Sequence, residues 1–479
     1  MKKHLLPIVL FCCAQSALAQ YGNQFQYNAF FKTSGAFDYP SELGTDIRTL
    51  SVNLTGLNYY IGNSIADVNW FYQVATNVTT GKIDDDEVPV LRNADGTAYL
   101  LPHVILDQIV NNTPATNFFV TGITAYPPLA IAVKFKAGDD KKEIVTMGFN
   151  HRVKTGFSYY FGKDVFTMLY NGNASFGDEP IDLLDLNVSF NAYSEWCLST
   201  AFPLLSLSNG MKIRTGINLK YLVGYAALQT GKANLSLNSA DPAVWDFNLD
   251  YLFDVALPLT GEDDKINANY VRTGLGHGLG FDIGASIQLV KHIKAFGAVN
   301  DIGNIHYGGG NVRNYSGTGQ VSFDGVRMGF KDLDTKPDFN ADSLLAKYMP
   351  TETQRDFFMH LPTRITLGGS YGLGEKETKK GESYYRHTVH LTYIQGLNKA
   401  PGNSTRPFVN VAYALRMGNL LSAGLNAGYG GVYGMNMGCF LGLRGGPLRF
   451  ALGSNALLGV FAPQIVKGAD LSLNLSIGF

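Results

Sequence analysis

Large apolar side chains fall on alternate positions over long stretches of this chain. In Leu471-Ser472-Leu473-Asn474-Leu475-Ser476-Ile477-Gly478-Phe479, every odd position is large and apolar and every even one is small or polar. Successive side chains of a strand point to opposite faces, so such a strand has one greasy face and one wet face. The same alternation runs through residues 211–223, 281–289, 409–417 and 433–443. The charged residues in these runs keep to the polar parity: Lys212, Arg214 and Lys220, then Asp282, then Arg416. A sheet with one wall in acyl chains and its reverse toward a wet interior demands this segregation. In hydrocarbon an open sheet edge would strand N–H and C=O groups, so the sheet must close. The pattern predicts an all-β fold: a closed antiparallel transmembrane β-barrel.

Turn residues punctuate the pattern. Gly418 and Asn419, Gly430 and Gly431, and Gly445 and Gly446 each sit between two alternating runs, where a tight hairpin needs positive φ. The chain from Thr363 onward therefore reads as a meander of about seven strands. With the C-terminus in the periplasm, residues 374–382, Gly418 and Asn419, and Gly445 and Gly446 fall on the periplasmic side. Residues 331–360, 397–405 and 456–469 then face outside. Candidate strands upstream are residues 51–60, 69–75, 118–125, 129–137, 144–161 and 184–202. Residues 101–110 and 341–348 read as short helices in loops, and 78–114 as an external loop or a plug, with residues 20–45 the other candidate for a plug. The sum is roughly 14 strands, with 12 or 16 also compatible, since closed single-chain barrels favour even numbers.

The N-terminus sets the compartment. Lys2, Lys3 and His4 precede an apolar stretch over residues 5–13, and Ala17-Leu18-Ala19 supplies a small-x-small cleavage pattern. Residues 1–19 thus read as a signal peptide, too short for a spanning helix, and 20–479 as the barrel domain. Phe11 before Cys12, and Cys12 before Cys13, do not fit a lipoprotein signal. The mature chain keeps 36 basic against 39 acidic residues, a balance that offers nothing to nucleic acid. Mean hydropathy is near zero and charged residues make up 16% of the chain, with 54 glycines, 30 Phe and 26 Tyr. That composition fits apolar surface dispersed over strands rather than concentrated in helices. Cys197 and Cys439 alone remain after the signal, so no disulfide framework is expected.

Several short pieces, in order along the chain, resemble a family of outer-membrane barrels from the Bacteroidota labelled only as a domain of unknown function. They are Tyr193-Ser194-Glu195, Lys220-Tyr221-Leu222-Val223-Gly224, Gly280-Phe281-Asp282-Ile283-Gly284, Asn300-Asp301-Ile302-Gly303-Asn304-Ile305, Phe323-Asp324-Gly325, Leu361-Pro362-Thr363 and the final strand. That family is more distantly similar to long-chain fatty-acid outer-membrane transporters and to the type IX secretion shuttle barrel. The resemblance implies location and fold, and no activity. The closing strand, with Leu475, Ile477 and terminal Phe479, resembles the signal by which the barrel-assembly machinery recognises its clients.

Candidate chemistry lies on the polar parity. Glu195, Lys212, Arg214, Lys220, Asp282, Arg364, Arg386, Arg416 and Arg449 all project inward in these registers. They form either a salt-bridge network that fills the lumen or an anion-attracting constriction. His387 and His390 lie on opposite faces and cannot share a metal; no metal, cofactor or catalytic residue is expected. The glycines around His277 miss the dinucleotide spacing, and residues 84–87 lack the spacing of a calcium loop. The expected function is a channel or carrier for a small or amphipathic solute in the outer membrane of a Gram-negative bacterium. The alternative is a scaffold or receptor barrel docking an envelope or secretion-system partner, and last a membrane-embedded enzyme. Besides outer-membrane lipid and the assembly machinery, a possible envelope protein partner is expected, and no nucleic acid.

Overall fold

A computed structural model describes residues 38–43, 45, 50–64, 90–92, 98–100, 116–126, 130–138, 142–164, 167, 179–182, 187–207, 211–238, 245–260, 265–266, 273–323, 351–377, 383–457 and 467–478. Fourteen strand positions make a closed antiparallel ring, the middle of the expected range. They are β1 (Leu50–Asn63), β2 in two segments (Thr116–Tyr126 and Ala130–Ala137), β3 (Lys142–Gly162), β4 (Asn187–Ser206), β5 (Lys212–Asn238), β6 (Gly276–Val290) and β7 (Ile293–Tyr307). The meander expected from Thr363 onward follows as β8 (Arg364–Glu377), β9 (Ser383–Gly396), β10 (Phe408–Met417), β11 (Leu421–Gly430), β12 (Gly434–Gly445), β13 (Leu448–Ser454) and β14 (Gly468–Gly478). Antiparallel pairing of β1 with β14, from Ser51 opposite Gly478 to Gly62 opposite Gly468, closes the ring. Closure removes the edge that hydrocarbon would not tolerate.

Residues 118–125 and 129–137, expected as two strands, share one place in the wall. Both observed segments pair with β1 on one side and β3 on the other. Pro127 and Pro128 stand between them, and proline offers no N–H to a ladder. The turns predicted from glycine are present: Gly418, Gly430, Gly431 and Gly446 all have positive φ. The expected strand 69–75, the expected helices, the signal peptide, residues 84–87 and Phe479 lie outside the described residues. Among the described residues a short 3-10 turn spans Pro40–Glu42, and no helix is long and apolar enough to cross a membrane.

Strand parity separates outside from inside as the pattern requires. On β5, Leu219 is 59% exposed while Asn218 is fully buried, and on β11 Leu425 is 65% exposed beside a buried Asn426. Exposed Leu, Ile, Val, Phe and Tyr side chains recur on the outer parity around the ring. The barrel has a short-turn end, where β1 begins and β14 finishes, and a long-loop end. The 27-residue β5 is far longer than the 9–11 residues a membrane crossing takes. Its first half pairs with β6 and its second half with a strand at Trp245–Ala256, which pairs in turn with Val312–Phe323. These pairings carry the sheet well past the ring at the long-loop end.

The interior is filled. From the long-loop end, the segment after β9 folds inward. Tyr160 donates to the Asn403 carbonyl at 2.9 Å, Tyr60 donates to the Gly402 carbonyl, and the Gly402 N–H donates to Ser158 at 2.9 Å. Phe118, Phe408, Val432 and Tyr433 form one buried apolar cluster with Tyr60 and Tyr160, the two tyrosines that hold this segment. A second apolar cluster under the extended sheet joins Leu222, Ile305, Tyr307, Phe357 and Leu361.

Candidate functional site

Mid-height in the lumen, ion pairs knit one side of the wall together. Lys220 on β5 reaches Asp282 on β6 at 2.6 Å, Asp301 on β7 at 2.6 Å and Glu195 on β4 at 3.9 Å. Lys154 on β3 bridges Glu195 and Asp301, both at 3.0 Å, and Arg152 pairs with Glu195. Arg152, Lys154 and Lys220 thus surround the Glu195 carboxylate with positive charge. Asp282 is held by hydrogen bonds as well, from the Asn218 amide at 2.7 Å and the Asp301 N–H at 2.6 Å. Every member of this network is buried, which a charge tolerates only when paired.

Asp301 reaches the lumen by breaking the parity of its strand. On β7 the buried wall positions include Ala298 and Asn300, so a regular strand would turn residue 301 toward lipid. Instead Asp301 adopts φ 56°, Gly303 adopts φ 147°, and the β6–β7 register slips between Phe281 and Ile283. This β-bulge swings the carboxylate inward between Lys154 and Lys220. The Thr363 hydroxyl donates to the Asp301 carbonyl at 2.8 Å and the Leu361 N–H to the Gly303 carbonyl at 3.0 Å, locking the bulge.

A piece of the chain before β1 lies inside the barrel against this wall. Asp38 accepts from Arg152 at 2.5 Å, with Arg364 3.9 Å away, and the Asn300 amide donates to the Asp38 carbonyl at 2.5 Å. Tyr39 meets Phe296 edge-on at 5.6 Å. Glu42 pairs with Lys294. Arg214 donates to the carbonyls of Ser41 and Leu43 while forking onto Glu143 at 2.7 and 2.9 Å. Gly216 is the seat of the segment, since a Cβ there would overlap Pro40. Seven wall cations (Lys134, Arg152, Lys154, Arg214, Lys220, Lys294, Arg364) thus face four wall carboxylates (Glu143, Glu195, Asp282, Asp301), and residues 38–43 add two more. Residues 20–45 or 78–114 were the expected candidates for a plug; residues 38–43 of the first lie in the lumen, and of the second only Val90–Arg92 and Ala98–Leu100 are described.

Of the nine residues expected to line the lumen, Glu195, Lys220, Asp282 and Arg364 belong to the network or its contact with Asp38, and Arg214 holds the segment below it. Four do not join. Lys212 and Arg386 have the inward parity but sit exposed near the short-turn end, where a strand has passed the packed interior. Arg416 turns back at the same end to donate to the Gly418 carbonyl and Asn419, and lies 4.8 Å over the Tyr384 ring. Arg449 is buried on the opposite side of the lumen, its guanidinium against Gly478 of β14. Asp38, Arg152, Lys154 and Asp301 complete the network without having been expected. Cys197 and Cys439 are free thiols.

Fold and interior together define a closed β-barrel with an apolar outer wall and a lumen occupied by its own chain. The chain belongs to the family described as "Family of unknown function (DUF5723)", whose model matches residues 47–455. No curated protein matches it. Among solved structures it is similar to the Ralstonia pickettii toluene transporter TbuX, at 10% identity, 92% of each chain and a TM-score of 0.39. Similar too are the CymD monoaromatic hydrocarbon channel, at 10% identity, 97% of this chain, 99% of that one and a TM-score of 0.41, and a Pseudomonas aeruginosa FadL homologue, at 10%, 93%, 94% and 0.40.

Proposed function

We propose that the protein is an outer-membrane barrel that carries a small or amphipathic solute and rests in a closed state. The observation that carries this reading is the segment at residues 38–43. It occupies the lumen beside the ion-pair network through ion pairs and hydrogen bonds to the wall, contacts that can be exchanged without unfolding the ring. A barrel needing only rigidity has no use for a removable filling, because apolar packing fills a lumen at less desolvation cost than buried charge. In this reading the exposed apolar parity faces lipid, the short-turn end faces the periplasm, and residues 1–19 are removed after export. The last strand, with Leu475, Ile477 and Phe479, is the handle for the assembly machinery.

The test is solute efflux from liposomes holding the full-length mature chain or a variant lacking residues 38–45. Faster efflux of small solutes from the variant supports the reading. Efflux no faster than from protein-free liposomes, with the variant still migrating as a folded barrel, overturns it. A scaffold that docks an envelope partner is the second reading, favoured by the filled lumen and by the sheet continuing past the ring at Trp245–Ala256 and Val312–Phe323. Its mark is a specific partner retained in mild detergent together with an inert lumen in both proteins.

A further inference from the structure

We infer that residues 38–43 are a tethered stand-in for an anion, and that the site they cover takes solutes bearing a carboxylate or a similar monoanionic group. This rests on the closed-carrier reading and deepens it by naming the charge of the cargo. The segment's side chains include two ionisable carboxylates, Asp38 and Glu42, and no cation. Both carboxylates land on cations of the wall: Asp38 on Arg152, with Arg364 close by, and Glu42 on Lys294. Arg214 adds two donors to carbonyl oxygens of the same segment. The chain thus places acceptors wherever the wall places donors.

The wall explains why the stand-in must be acidic. Among the described residues that form ion pairs on this side of the lumen, wall cations outnumber wall carboxylates seven to four, and the two carboxylates of the segment take up most of that excess. Arg152 is fully buried and Arg364 is 8% exposed, so withdrawing Asp38 takes a carboxylate from beside both guanidiniums in a confined space, with Arg152 keeping its pair to Glu195. Net positive charge in such a space is costly, and an incoming anion offsets that cost where a neutral or cationic solute of the same size does not. Two guanidiniums beside an amide donor from Asn300 also suit the planar, two-oxygen shape of a carboxylate. Once uncovered, the lumen therefore selects anions over cations.

The test uses the full-length protein and an Asp38→Asn/Glu42→Gln variant, with the variant lacking residues 38–45 as a second route to the uncovered wall. In planar bilayers under a potassium chloride gradient, both variants are expected to conduct with a reversal potential of the sign carried by chloride. In detergent, propionate is expected to raise the Tm of the Asp38→Asn/Glu42→Gln variant more than propionamide does, and to leave the full-length parent unchanged. A pore that is unselective or prefers potassium overturns the inference while leaving the carrier reading intact. So does equal stabilisation by the acid and the amide. Folded variants that never conduct, with Tm unmoved by either compound, overturn both.

Discussion

Replacing Lys220 with methionine isolates the charge of the lumen network from its packing. Methionine keeps most of the apolar stem and removes the ammonium, which lies 2.6 Å from Asp282, 2.6 Å from Asp301 and 3.9 Å from Glu195. Three buried carboxylates then depend on Lys154, Arg152 and neutral donors. Removing one partner of a buried ion pair costs about 3–5 kcal/mol, whereas an exposed pair is worth about 0–1 kcal/mol. Full burial at this position places Lys220→Met in the first class, near 4 kcal/mol, roughly a thousand-fold in the folding equilibrium. Adding Asp282→Asn removes one stranded carboxylate and keeps an acceptor for the Asp301 N–H, so the double variant should recover more than about 1 kcal/mol relative to additivity. The assay is reversible urea unfolding in lipid vesicles, followed by tryptophan fluorescence and by the gel shift between folded and unfolded barrel. A loss below about 1 kcal/mol for Lys220→Met would show the network to be solvated, and the packed-lumen account would fail with it.

Other substitutions probe the wall, the bulge and the seat of the lumen segment. Leu219→Arg, on the lipid parity of β5, should cost about 2–4 kcal/mol near mid-membrane, while Lys212→Ala at the rim should stay within about 0.5 kcal/mol in the same titration. Gly303→Ala places a Cβ on a backbone of φ 147° and against the Leu279 carbonyl. It should cost about 1–3 kcal/mol and release Asp301 from Lys154 and Lys220, read as faster amide exchange across β6 and β7. Gly216→Val drives a side chain into Pro40 without touching any charge, and should make a thiol introduced at Ser41 reactive to a maleimide that the parent excludes.

How far the sequence spoke depended on which physical rule each part obeyed. Where one wall meets lipid and turns are tight, the period of two and the glycines located seven consecutive strands from Thr363 onward. The same rule fixed faces but not depth, and for that reason Lys212, Arg386 and Arg416 shared a parity with Lys220 yet ended at the rim. Arg152 and Lys154 carry the parity of Asn150 and Ser158 on β3 and were legible by the rule already applied to β5. Asp301 was not, because a bulge reverses the parity; an Asp two residues before a Gly inside a strand pattern was its signal. Asp38 lies outside any periodic run, and only the excess of cation on the wall hints that an acid must come from elsewhere.

The central claim is that β11 turns one face to acyl chains and the other to a packed interior rather than to an open water channel. Spin labels placed singly along Leu421–Gly430 in vesicles, with collision rates measured for oxygen and for an aqueous nickel chelate, test it most directly. High oxygen and low nickel rates are predicted at Ala423, Leu425, Ala427 and Tyr429, and low rates for both probes at Ser422, Gly424, Asn426 and Gly428. Nickel rates at the second set matching those of exposed loops, or at the first set exceeding those for oxygen, would contradict the account.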